Sequence, residues 1–263
     1  APITDTDNWP RCIQIAWQLH DEMGNLIEHQ DYLVKPEGFN IPYDAERIHG
    51  ISTELAMEQG ILLSEVLEKF NIALSKAKFI VGQNVGFDVN IMGCEFHRMN
   101  IGSDMTKMPV LDTCTEITAN LLKLPGGRGG RFKLPTLTEL HQYLFNQPFA
   151  EAHNATADVE ATTRCFLELI KREVFTKEEL DVTPEYFRSF REKNLGEIQL
   201  IGLKHINLKQ ASDEIRARLK KIEQEEVQTT ISEEVKSDLK EVIDRIQSKA
   251  LADMEKNKNK IVE

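Results

Sequence analysis

Three observations in this 263-residue sequence predict an α/β fold. Short apolar runs of strand character alternate along the chain with longer runs of helical periodicity, rather than being segregated into blocks. Gly, Pro and Asn punctuate the junctions between them. About two-fifths of the residues are apolar, enough for an ordinary buried core.

In order, Cys12–Leu19 alternates partly and reads as a strand, and Leu26–Val34 reads as a second. The Gly24-Asn25 pair between them suits a turn, so the two are expected to form an antiparallel hairpin. Pro36, Gly38 and Pro42 then break the chain. Leu63, Val66, Leu67, Phe70 and Leu74 share one helical face of Leu62–Ala77. Phe79–Gly82 is a short apolar strand, Val85–Met99 a helix, and Val110-Leu111 the centre of another short strand. Residues 126–131, GGRGGR, read as a flexible loop. Thr136–Phe145 and Thr156–Glu173 read as helices, the second with Ala161, Cys165, Phe166, Leu169 and Ile170 on its apolar face. Near residue 196 the character changes. Ser212–Glu226 and Ser232–Lys260 are rich in Lys, Glu, Ile and Leu and read as one or two charged amphipathic helices, with Leu239, Val242, Ile246 and Leu251 as a sparse apolar stripe. The expected organisation is a body over residues 1–195 and a helical extension or linker over 196–263, serving as a tether or as a docking helix for a partner.

Composition narrows the function classes. No apolar run approaches the ~18–20 residues that span a bilayer, and no signal peptide is visible. The four cysteines, Cys12, Cys94, Cys114 and Cys165, are far apart and lack metal-site spacing, so they read as buried free thiols in a reducing cytoplasm. The formal net charge is −11, and nearly all of the acidic excess falls before residue 196. A protein that holds nucleic acid unaided usually shows a basic footprint. If this one acts on nucleic acid, a partner supplies the backbone affinity or the contacts are few and local.

Two segments carry chemistry. In Val81-Gly82-Gln83-Asn84-Val85-Gly86-Phe87-Asp88 a strand ends, a loop turns and a helix begins, which places the Asp88 carboxylate at the edge of a sheet. The Asn84 amide could fix the loop backbone, and Phe87 offers a flat face to a base; Asp88 could alternatively be a helix N-cap. In His153-Asn154-Ala155-Thr156-Ala157-Asp158, Asp158 stands in the first turn of the last core helix and His153 in the loop before it. An imidazole is the side chain best matched to removing a proton near neutral pH. Phosphodiester hydrolysis is helped by two divalent ions about 3.5–4 Å apart, and Mg²⁺ and Mn²⁺ favour carboxylate ligands.

N-x-x-F-D at residues 84–88, followed by H-x-A-x-x-D at 153–158, resembles the second and third motifs of the DEDDh exonucleases. This DnaQ-like group includes the epsilon proofreading subunit of bacterial DNA polymerase III. Ile48-His49-Gly50-Ile51-Ser52 and the Leu111-Asp112-Thr113 strand are similar to further segments of the group, and the resemblance covers roughly residues 10–173. It implies a ribonuclease-H-like mixed sheet flanked by helices. It further implies two Mg²⁺ or Mn²⁺ ions held by Asp88 and Asp158, with His153 as general base. Asn84, Phe87, His49 and Ile51 would position the 3′-terminal nucleotide.

The family's first motif, D-x-E on the first strand, is not matched; Asp5-Thr6-Asp7 has the spacing but no apolar strand around it. The expectation is that the chain begins in the loop after that strand, lacks the strand itself, and is inactive as it stands because two carboxylates bind metal weakly. Residues 124–133 are no phosphate-binding P-loop, since no Gly-Lys-Ser/Thr follows. Arg128, Arg131 and Lys133 there are either a surface connector or a basic finger for a DNA backbone. The function that fits best is a 3′→5′ exonuclease on the single-stranded 3′ end of DNA, proofreading for a separate or fused DNA polymerase. An RNA-trimming or oligonucleotide exonuclease and an inactive docking module are the alternatives.

Overall fold

The computed structural model describes residues 1–147, 154–203 and 206–259, with the side chains of 227–234 and 251–259 excepted. His153 therefore lies outside the described residues.

Strands β1 (Gln14–His20) and β2 (Leu26–Leu33) form the expected antiparallel hairpin. Its turn is held by the Asp21 carboxylate, whose Oδ1 accepts the Met23 and Asn25 N–H groups at 3.0 and 2.8 Å. Gly24 turns there at φ 84°. Helices α1 (Tyr43–His49) and α2 (Thr53–Gln59) follow. The sequence predicts neither, because each is only seven residues long and the first buries no side chain, so it leaves little periodicity to read. The α1 helix ends at Gly50, which has left-handed φ 78°, and a Cβ there would lie 2.9 Å from the Lys209 backbone nitrogen.

Helix α3 (Leu63–Leu74) buries Leu63, Val66 and Leu67 on the predicted face, and Phe70 and Leu74 pack beside them. Strand β3 (Ile80–Gly82) runs into α4 (Gly86–Arg98), and β4 (Val110–Asp112) pairs with β3 in parallel. The hairpin and this parallel pair are two separate two-stranded sheets. Beyond them come α5 (Glu116–Leu122), also unpredicted, α6 (Leu137–Phe145) and α7 (Ala155–Lys171). Thr136 and Glu139 close a reciprocal capping box at the start of α6. Helix α7 packs on both β1 and β3 and so serves both sheets. Helices α8 (Lys177–Leu180), α9 (Pro184–Lys193) and α10 (Leu208–Asn259) complete the chain. The charged C-terminal segments are thus one continuous helix.

Two clusters form the core. One gathers β1, α3 and α4 around Trp17, Leu67 and Phe96; the other gathers α6, α7 and α9 around Leu140, Leu169 and Phe190. Between the helices of the second cluster lies a buried cation. The Arg164 guanidinium donates to the Ile198 carbonyl, to His141 Nε2 and to Glu197, and it sits 3.8 Å from the Phe145 ring centroid. His141 Nδ1 faces the Gln147 carbonyl, so its other nitrogen accepts and the ring is neutral. Burial, with the Arg164 charge as a smaller cause in the same direction, holds its pKa below the ordinary value.

The chain divides into two compact units, residues 1–212 and 213–263. The first runs past residue 195: Ile198 belongs to the second core cluster. All four cysteines are free, as expected, but only Cys12, Cys94 and Cys165 are buried, and Cys114 is partly exposed. Burial pushes the Cys12 and Cys165 thiols up to about 12. Among the described residues no helix is long and apolar enough to cross a membrane.

Phe190 is wholly buried at the centre of the second cluster. Phe190→Ala should destabilise the first unit by about 3–5 kcal/mol through lost burial and the cavity left behind. A urea unfolding series with unchanged slope and a lower midpoint would record it.

Candidate active site

The β3–α4 loop is built on one carboxylate. Asp112, the last residue of β4, accepts the Asn84 N–H at 2.8 Å, the Val85 N–H at 3.1 Å and the Cys114 N–H at 2.7 Å. Asn84 takes the left-handed conformation at φ 55°, which Asn tolerates better than most side chains. A Cβ on Gly82 would lie 2.6 Å from Val85 Cβ, so the turn back toward β3 needs glycine. The sequence assigned the loop-fixing role to the Asn84 amide. Asp112 holds it instead, because the carboxylate lies where the loop's N–H groups converge, while the Asn84 side chain is exposed. Gln83 donates to the Pro135 carbonyl at 2.7 Å and accepts from Thr113, tying the same loop to the entrance of α6.

The chain that leaves this brace presents Phe87 and Asp88 in the first turn of α4. Phe87 is 51% exposed. The residue preceding the helix is Val85, without a side-chain cap, so Asp88 is not the N-cap. Its carboxyl lies above the usual carboxylate pKa, chiefly because protein displaces water around it. Its own backbone N–H acts the other way, and the nearby Asp112 charge adds to the rise.

The second carboxylate opens α7. Asn154 caps this helix by accepting the Thr156 and Ala157 N–H groups. Thr156 is buried and donates to Asp31 beside the hairpin, and further along Thr163 donates to Gln18 of β1 at 3.0 Å. Asp158 thus stands in the first turn of a helix tied to β1 and β2.

The third segment is the α1–α2 junction. His49 Nδ1 accepts the Ile51 N–H at 3.0 Å, so the neutral ring carries its proton on Nε2, which is buried and has no hydrogen-bond partner among the described residues. Burial lowers the His49 pKa, with Glu46 opposing. Ile51 is 1% exposed. Its side chain therefore anchors the junction in the core, and the ligand-facing role read for it from the sequence does not belong to that side chain. Sequence reasoning missed Ser212, which is buried; its hydroxyl accepts the Ser52 N–H at 3.0 Å and donates to the Gly50 carbonyl at 2.8 Å.

Of the candidate basic finger, Arg131 pairs with Glu116 and Lys133 with Glu139 at 2.6 Å. Internal carboxylates already compensate two of its three charges. The donors suit a hard divalent ion, since Asp88 and Asp158 offer carboxylate oxygens. In number they fall short: among the described residues no three His, Cys, Asp or Glu side chains gather as a metal-ligand set.

The family model for exonucleases of the RNase T type matches residues 6–166. The chain belongs to this exonuclease family. No curated protein matches it. Among solved structures it is similar to exonuclease I of E. coli. In complex with a 5cy-dT13 oligonucleotide that enzyme matches at TM-score 0.50 and 22% identity, over 68% of this chain and 38% of that one. The zinc-bound form of its single-stranded DNA complex matches at TM-score 0.50 and 22% identity, over 64% and 38%. The chain spans about two-fifths of the length of these structures, and the likeness is one of fold.

Asp112→Ala should release three backbone N–H groups at once, at about 1–3 kcal/mol for each one left buried and unpaired. Amide hydrogen exchange at residues 84, 85 and 114 should accelerate sharply, while amides in β1 and β2 keep their protection. Asp112→Asn, which retains one carbonyl acceptor, should fall between.

Proposed function

We propose that this chain is a metal-dependent 3′→5′ exonuclease that hydrolyses the terminal phosphodiester of single-stranded DNA. The observation that carries the reading is the pair of helix starts. Asp88 and Asp158 each occupy the first turn of a helix while other residues, Val85 and Asn154, take the cap positions. Both helices are tied at these ends to the small sheets, and family membership supports a common cleft for the two carboxylates.

In this reading Asp88 and Asp158 are metal ligands. Two Mg²⁺ or Mn²⁺ ions, when bound, supply an activated water and neutralise the leaving 3′ oxygen. The single-stranded DNA and zinc in the E. coli exonuclease I structures support this substrate and a divalent ion. His153 takes the proton of the attacking water. Phe87 stacks on a terminal base, Asn84 lines the loop beside it, and His49 helps position the terminal nucleotide through the α1–α2 junction that its Nδ1 braces. Ile51 supports His49 through the backbone hydrogen bond to Nδ1.

The finer proposal is that the module removes mispaired 3′ ends for a DNA polymerase that delivers it to the primer. The acidic body and the long charged helix Leu208–Asn259 support delivery by a partner, because neither offers a strong hold on a polyanion.

With Mn²⁺, 5′-labelled single-stranded DNA should shorten from its 3′ end, against the expectation of inactivity drawn from the unmatched first motif, and a chelator should stop the reaction. Asp88→Asn and Asp158→Asn should each lower the rate by at least about 100-fold, the scale for losing one group that stabilises transition-state charge. Faster trimming of a matched RNA oligomer would transfer the substrate to RNA. Binding of the oligomer with no nucleotide released in either metal would leave the inactive docking module as the function.

A further inference from the structure

We propose that Trp9 is a substrate-positioning residue: its indole and the Phe87 ring form a two-ring surface on which an unpaired nucleobase stacks. The proposal rests on the nuclease reading above and adds to it a residue outside the matched motifs.

The sequence reads Asn8-Trp9-Pro10 only as a turn. In the structure this segment is fastened down. The Arg98 side chain of α4 donates to three parts of it, reaching the carbonyls of Thr6, Trp9 at 2.7 Å and Pro10 at 3.3 Å. Glu95, fully buried one turn earlier, compensates that cation at 3.2 Å. The same oxygen accepts Arg11 Nε at 3.1 Å and the Cys12 N–H at 2.7 Å, where the segment enters the hairpin. Arg11 in turn lies over the Phe39 ring at 4.4 Å. The indole N–H is satisfied internally by the Pro2 carbonyl at 3.1 Å, which fixes the ring's rotation.

This strap sets the Trp9 ring 6.1 Å from Phe87, centroid to centroid, at a tilt of 50°. Phe87 adjoins Asp88 and is half exposed, and Trp9 is partly exposed. An acidic protein cannot rely on phosphate contacts to hold a single strand. Aromatic faces bind unstacked bases of any sequence and need no positive charge. The two rings stand beside a candidate metal ligand, where such a surface would fix the position of the strand's end.

The test uses intrinsic fluorescence, because the chain has two tryptophans and Trp17 is buried in the core between Tyr32 and Phe70. Unlabelled oligothymidylate is titrated in chelator, so no hydrolysis occurs, with anisotropy of a labelled oligomer as the parallel measure of affinity. Wild-type emission should fall as the oligomer binds. The residual emission of Trp9→Phe should not change, while its affinity stays near wild type because a ring remains. Trp9→Ala should bind roughly 5- to 100-fold more weakly. An abasic oligomer of equal length should bind wild type and Trp9→Ala alike.

If the oligomer binds while wild-type emission stays constant, the proposal is overturned and the nuclease reading stands. It is overturned equally if Trp9→Ala loses as much affinity for the abasic oligomer, which would mark a purely structural role. If no oligomer binds in chelator, the proposal falls, while the nuclease reading stands or falls by the release of nucleotides in Mn²⁺. Should Trp9→Ala not fold, the wild-type and Trp9→Phe emissions decide between the outcomes alone.

Discussion

The Asp112 carboxylate is the constraint on which the candidate site depends. A loop that must leave a parallel strand, pass through a left-handed residue and start a helix has several backbone N–H groups with no regular partner. Three of them point at one side chain anchored on the neighbouring strand. The β3–β4 pairing, with Gly82 opposite Asp112, sets where that carboxylate stands. A sheet register is thereby converted into the position of a loop, and the loop into the positions of Phe87 and Asp88. The second carboxylate has an analogous support, since α7 begins where Asn154 caps it and Thr156 ties it to Asp31.

Two buried charges perform a similar service further out. A buried ion pair seldom adds much net stability, because desolvation offsets its attraction, but losing one partner is costly. Glu95 and Arg98 on α4 fix the path of residues 6–12, and Arg164 on α7 fixes residues 197–198 through a carboxylate and a carbonyl. In both cases a helix that carries a candidate ligand in its first turn also holds an irregular segment with a buried charge further along. These irregular segments could not hold their course by hydrophobic burial alone. The polar pairing specifies which course they take.

How much of this was legible in the sequence follows from the range of the interactions involved. The hairpin, α3, α4, α6 and α7 announce themselves through local periodicity, and their bounds agree within a few residues. Asp88 and Asp158 fall in first helical turns, the placement read for them from the sequence. The short helices α1 and α2 were not legible, for each spans only seven residues and shows too little periodicity to read. No role was read for Asp112; its contact to the Cys114 N–H, two residues on, is of a local kind open to such reading. Its reach to Asn84 and Val85 is not, because that depends on the pairing of strands almost thirty residues apart in sequence. Ser212 and Arg98 were silent for the same reason: nothing local distinguishes them from solvated helix residues. The assignment to Ile51 failed because sequence names the loop that faces a ligand but not which side chain of that loop turns inward.

The electrostatic character of the chain then constrains how any substrate strand is held. The first unit is acidic, and Arg131 and Lys133 already have carboxylate partners, so a phosphate approaching them must compete with an ion pair in place. Surface pairs of this kind are weak enough to exchange, worth at most about 1 kcal/mol, so they do not exclude the strand, but they offer it little. A polyanion gains more where positive charge is supplied by bound divalent ions and where its bases find apolar faces. The structure puts exposed aromatic surface beside Asp88 and commits a partly buried Arg98 and a buried Glu95 to keeping a second ring there. Binding through base stacking also favours frayed or single-stranded ends over paired ones, because only an unpaired base has both faces available. Selectivity for a disordered 3′ end would then come from the same few side chains that place it.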